Sequence, residues 1–291
     1  MKNTKHILFV VAALGVLSCN LNDSSKIDYE NAIETKSNGL SIDEVFISLE
    51  DQQPGENTFI YGQTFYTNFK GLNGFVFENG DFFPELDVYV VSKAGDTVMQ
   101  SDRLFGGYGQ PKDVPALNGS LILANPILSG EKYTAHYRLS DVKGGGEFFS
   151  KMEFELIKDP NISVVENGLT AKEVYLFDRM ANRVISDGMV IAGRSLSLDF
   201  QFLADYQMPN GTIDLGMETS VVDSDGNIIV RNPDALKNTS YKKLEPGQAV
   251  QSTLTLSEGR FNNPLKWIVR IWDKNGSGEI EAAAEITVTS E

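Results

Sequence analysis

Residues 133–156 read YTAHYRLSDVKGGGEFFSKMEFEL, and residues 265–288 read LKWIVRIWDKNGSGEIEAAAEITV, the same pattern 132 residues later without a gap. Arg138 aligns with Arg270, Asp141 with Asp273, Gly144 with Gly276, Gly146 with Gly278, Glu147 with Glu279 and Glu153 with Glu285. In each copy apolar residues alternate with polar ones on both sides of a glycine-rich turn, the period of two that marks a half-buried strand. The stretch Glu131–Leu156 is therefore one hairpin of a β module that the chain carries twice.

Working outward, Gly62–Val98 matches Gly193–Ile229 at an offset of 131, pairing Phe69 with Phe200, Asn79-Gly80 with Asn210-Gly211 and Val90-Val91 with Val221-Val222. Glu44-Val45 matches Glu173-Val174 at an offset of 129. Matched turns between matched apolar positions predict one strand order in both halves, with modules over residues 40–158 and 168–291. No segment shows a usable helical period, so the fold class is all-β. Leu265, Trp267, Val269 and Ile271 share a face, which makes Trp267 a core residue packed across a sandwich. The segment Lys158–Gly168 reads as a short linker stiffened by Pro160, predicting a rod-like arrangement with limited swing.

The 291 residues carry a net charge of −15, and only one cysteine. Such a field repels phosphate backbones, so nucleic acid is not an expected partner. A single cysteine excludes an intramolecular disulfide and leaves each module to its own core.

That cysteine closes a leader. Lys2 and Lys5 precede an apolar run, Ile7–Leu17, too short to span a bilayer as a stable helix but suited to a signal peptide. Val16-Leu17-Ser18-Cys19 resembles the bacterial lipobox, which implies a signal peptide over residues 1–18, cleavage before Cys19 and lipidation of Cys19 with fatty acids such as palmitate. Acyl chains contribute about 0.8 kcal/mol per buried CH₂, enough together to hold the protein on a membrane. Residues 19–39 are polar and read as a flexible tether. Asn20 after the cysteine favours the outer membrane, with the periplasmic or surface face left open.

Candidate chemistry is sparse. Outside the leader His136 is the only histidine, and its counterpart is Ile268. His or Cys metal sites and a Ser-His-Asp triad are accordingly not expected, and neither is enzymatic activity. Asp273, Asn275 and Ser277 with Gly276 resemble the opening of a calcium-binding loop, but Ala284 stands where the bidentate glutamate belongs. A glycine-rich turn accounts for the same residues. No cofactor is expected, with a low-affinity Ca²⁺ site at that turn as the alternative. The irregular loop Phe105–Gly119 and the aromatic residues Phe83, Phe105 and Tyr108 are the candidate contacts for a partner, because aromatic side chains on loops stack on sugars or anchor interfaces.

With lipobox and repeated β module in hand, the chain resembles the tandem immunoglobulin-like lipoproteins of Bacteroidetes. The resemblance implies two tandem immunoglobulin-like β-sandwich domains on a lipid anchor. The expected function is a non-catalytic binding or adhesion lipoprotein of the cell envelope. The alternatives are a glycan-binding accessory lipoprotein of a saccharide-uptake system and a structural subunit of an outer-membrane complex. The partners are then the membrane, through the acyl chains, and a protein or glycan.

Overall fold

The computed structural model describes residues 24–28, 32–49, 57–245, 247–257, 259 and 262–290, so the leader and Cys19 lie outside the described residues. The first module comprises β1 (Ser25–Asp28), β2 (Ile33–Asn38), β3 (Ser41–Leu49), β4 (Thr58–Ile60), β5 (Thr64–Asn73), β6 (Phe77–Glu78), β7 (Asp81–Phe82), β8 (Pro84–Ser92), β9 (Thr97–Ser101), β10 (Gln110–Pro111), β11 (Ala116–Ile122), β12 (Glu131–Asp141) and β13 (Glu147–Ile157). The second comprises β14 (Ile162–Asn167), β15 (Thr170–Asp178), β16 (Arg183–Val184), β17 (Met189–Ile191), β18 (Ser195–Ala204), β19 (Ile213–Val222), β20 (Ile228–Asn232), β21 (Ser240–Tyr241), β22 (Ala249–Thr255), β23 (Leu265–Asp273) and β24 (Glu279–Thr289).

Each module is a two-sheet sandwich. In the first, a large sheet runs β1-β2-β13-β12-β8-β9 and a small one β11-β5-β3. In the second the orders are β14-β24-β23-β19-β20 and β16-β15-β18-β22. The correspondence extends to irregularities. β4 pairs parallel with the end of β13, and β17 does the same with β24. The register shifts between Val90 and Val91 in the first module and between the aligned Val221 and Val222 in the second. Splitting the leading strand region between two sheets, with a short parallel partner on the last strand, is the immunoglobulin-like arrangement.

Two expectations need correcting. Within residues 19–39, read as tether, Ser25–Asp28 and Ile33–Asn38 are strands, and β2 lies along β13 with Ile33 buried in the core. Within the supposed linker, Ile162–Asn167 is β14, paired with β24. β14 is an edge strand, and β2 is covered on its outer side only by the four-residue β1. Both press few residues onto the core, so a largely polar sequence such as IETKSN suffices and no apolar alternation announces them.

The cores follow the alternation. Tyr133, Ala135, Tyr137 and Leu139 of β12 are buried, as are Leu265, Trp267, Val269 and Ile271 of β23. The first core is rich in aromatic edge contacts, with Phe59 and Phe65 both set against Phe154 at 6.0 and 5.9 Å between centroids. The second is aliphatic around Trp267, whose indole N–H donates to Thr219 Oγ1 at 2.9 Å.

The modules are not strung end to end as a rod. One end of the first rests on the outer face of the second module's smaller sheet. The Tyr61 hydroxyl donates to Gln201 Oε1 at 2.6 Å and accepts the Asn125 N–H at 3.0 Å. Ser129 donates both its N–H and its hydroxyl to Glu173, at 2.7 and 2.8 Å. The ring of Tyr61 lies 5.6 Å from that of Tyr175, and Gln63 reaches Ser186 at 2.9 Å. Gly62, at φ +86°, passes so near Val184 that a Cβ there would fall 2.2 Å from a methyl carbon. Every polar atom named here has a partner, which is what allows a joint to be both buried and polar.

Candidate functional site

The residues repeated between the modules prove to be structural. In the first module Arg138 donates to Glu147 across the hairpin, and Arg270 does the same with Glu279. Asp141 is buried and accepts the N–H of Lys143 at 3.0 Å and of Val76 at 2.7 Å, tying the hairpin turn to the loop before β6. Asp273 repeats this with Asn275 at 2.9 Å and Gln207 at 2.7 Å. Gly144 and Gly276 leave room for those carboxylates, since a Cβ would come within 2.4 and 2.7 Å of them. Gly146 and Gly278 lie against Gly39 and Gly168.

The calcium-like turn is closed by its own hydrogen bonds. Asp273 faces inward, 3% exposed, with each carboxylate oxygen taken by a backbone N–H. Among the described residues no group of three or more His, Cys, Asp or Glu is placed to hold a metal. Asn275 and Ser277 belong to the turn beside it.

The aromatic candidates come together at one end of the first module, the end away from the joint. Phe83 is half-buried beneath the Lys143 ammonium, 4.9 Å from the ring centroid. Phe105 packs partly onto the core, with its N–H bonded to the buried Glu85. Tyr108 is 75% exposed.

A second surface, not anticipated from the sequence, lies on the outer face of the first module's large sheet. Strand register places two rows of side chains across it: Lys36, Phe149, Arg138 and Asp87 in one, and Glu34, Lys151, His136 and Tyr89 in the other. Residues in register on neighbouring antiparallel strands share a face, so each row forms a continuous ridge. Between them is a cleft of about 390 Å³ lined by Tyr89, His136, Arg138, Phe149, Lys151 and residues of β2. The rings of Tyr89 and His136 stack at 4.5 Å with planes 4° apart. Burial, and then the Lys151 charge, pull the His136 pKa below its usual value, so the imidazole is neutral at neutral pH. Ion pairs hold the rim, Lys151 with Glu34 at 3.0 Å and Arg138 with Asp87 at 3.3 Å. The cleft thus offers a flat uncharged aromatic floor bordered by fixed donors and acceptors.

The second module keeps the sheet but not the cleft chemistry. Ser220, Ile268, Ala283 and Glu281 occupy the positions of Tyr89, His136, Lys151 and Phe149. Its outer face is shaped by Trp272, which covers Gly216 so closely that a Cβ there would lie 2.0 Å from the indole. Those four positions differ between the repeats, but so do most others, so divergence alone does not single them out.

Strand order and geometry define the chain as a pair of immunoglobulin-like sandwiches. No family model matches the chain, and no curated protein matches it. Among solved structures it is similar to the fibronectin(III)-like modules of Clostridium thermocellum CbhA, at 11% identity over 84% of this chain and 95% of that one, with a TM-score of 0.21. It is also similar to a structure titled pT26-6p, at 9% identity over 93% and 66% of the two chains and a TM-score of 0.26. A Bacteroides uniformis beta-glucuronidase 2 variant aligns at 10% identity over 82% of this chain but only 27% of its own, with a TM-score of 0.24. Scores this low carry no argument about activity.

Proposed function

We propose that the protein is a lipid-anchored, non-catalytic binding protein of the bacterial cell envelope, in which the first module binds ligand through the Tyr89–His136 cleft and the second supports it. The observation that carries this reading is the asymmetry between the copies. A scaffold common to both needs neither the stacked pair nor Phe149, and only the first copy has them. Aromatic rings flanked by ion-paired donors and acceptors suit a saccharide, whose apolar ring face stacks while its hydroxyls hydrogen-bond to the rim. That favours the glycan-binding form of the function over a purely structural role. Anchoring rests on the lipobox at Cys19, and an outer-membrane location on Asn20.

A glycan array probed with the soluble Cys19→Ala protein tests the binding claim. Hits that disappear in Tyr89→Ala and persist in Ile268→Ala, at the equivalent site of the second module, support it. An array on which both variants behave alike sinks it. Anchoring is tested separately by membrane fractionation, where Cys19→Ala should move to the soluble fraction.

A further inference from the structure

We infer that the end of the first module away from the joint rests on the surface of the bilayer. This inference builds on lipidation of Cys19.

The surface itself is unusual for this chain. Val76, Phe77, Tyr108 and Val142 are 47%, 47%, 75% and 55% exposed, and they come from three separate loops. The loops are fixed to each other. Asp141 holds the Val76 N–H, the Val142 N–H donates to the Phe83 carbonyl at 3.0 Å, and Gly109 lies against the Phe83 ring. The Lys112 ammonium sits 5.7 Å over Phe77 and that of Lys143 4.9 Å over Phe83. Aromatic rings topped by lysines match the interfacial layer of a membrane, where rings settle at headgroup depth and amines meet phosphates. The second module builds the same end on the same aspartate bond, yet Gln207 and Lys274 replace Val76 and Val142, while the exposed Met208 stands in for Phe77. The apolar character of Val76 and Val142 is therefore not a requirement of the loop scaffold.

The direction of the chain supplies the occupant. β1 is antiparallel to β2, with Ser25 opposite Lys36, and the Ser24 carbonyl accepts the Ser37 N–H at 2.8 Å. Ser37 is opposite Phe148, next to the turn that carries Val142. Followed backward, β1 points toward this end of the module. Cys19 is five residues before Ser24, a reach of no more than about 18 Å even fully extended. Acyl chains on Cys19 must enter the bilayer within that distance, which brings this end, and not the second module, to the lipid. The Lys143 ammonium is also paired with Glu78 at 2.6 Å, a mixed-sign surface that suits a zwitterionic headgroup layer better than an anionic one.

The test uses the lipidated protein reconstituted in phosphatidylcholine–phosphatidylethanolamine vesicles. Because the native cysteine is acylated, Tyr108→Cys and, in the second module, Asn210→Cys each provide one labelling site for an environment-sensitive fluorophore. Lipids brominated near the headgroup should quench the label at 108 several-fold more than that at 210. Equal quenching, with acylation of residue 19 confirmed by mass spectrometry, overturns the membrane contact and leaves the anchor standing. Absence of the acyl mass overturns both. Pyrene excimer emission at 108 without lipid quenching assigns the surface to a second copy and also overturns the inference.

Discussion

Replacing Tyr61 with phenylalanine tests the joint with almost no change in shape. The ring, its contact with Tyr175 and the surrounding core stay, while one oxygen is lost. That oxygen makes two bonds, to Gln201 across the joint at 2.6 Å and from the Asn125 N–H at 3.0 Å. Tyr61 is 3% exposed, so water does not readily replace the lost partner. A buried group left unpaired costs about 1–3 kcal/mol. Gln201 still donates to the Gly247 carbonyl at 2.7 Å, which keeps its amide in place. Denaturant unfolding of Tyr61→Phe should therefore show a loss within that range. A double-mutant cycle with Gln201→Ala isolates the part that crosses between modules, expected at about 0.5–3 kcal/mol of coupling. Burial also raises the Tyr61 pKa to about 12. A folded-state value above the unfolded one gives stability that is intact below the ordinary value of 10.0 and is lost as pH rises toward 12. The wild type should lose stability more steeply than Tyr61→Phe across that window. A coupling energy of zero would mean that the modules do not meet as described.

Two further outcomes are expected. Thr219→Val removes the hydroxyl that accepts the buried Trp267 indole N–H in an isosteric change, and should cost about 1–3 kcal/mol with a shift in tryptophan emission; unchanged stability would mean that bond does not contribute. Glu173→Gln concerns pH: burial holds the Glu173 carboxyl above its ordinary 4.5, so its stabilising contribution is complete below 4.5 and declines as pH rises through the higher folded-state value. The melting temperature of the wild type relative to Glu173→Gln should accordingly be greater at pH 4 than at pH 7, and a constant difference would contradict the assigned burial.

Much of the architecture is legible in the repeat. The 132-residue echo gave the aligned hairpins β12–β13 and β23–β24, and the alternation around Trp267 gave its burial. The module starts were harder. Asn38-Gly39-Leu40 recurs as Asn167-Gly168-Leu169, with both leucines fully buried, and extends the repeat back to β2 and β14. Three residues among polar neighbours make a thin signal, because β2 and β14 show the core so few side chains. The cleft was illegible for a different reason. Tyr89, His136 and Phe149 come from three strands and meet only through register, which a one-residue slip would undo. The joint was hidden because Glu173 and Gln201 look like ordinary outward-facing polar residues until another module covers them.

The way β1 enters has a mechanical consequence. Tension on an N-terminal anchor would pull β1 along its own axis against β2, whose register spans only four residues. Loaded in that direction the rungs share the pull in shear instead of parting one after another. The first element to yield would be this four-residue ladder, with β2 still held to β13 and the sandwich behind it intact. Under the proposed anchoring, a ligand tugging on the protein would thus lengthen its leash while removing only Ser25 from the lining of the proposed cleft.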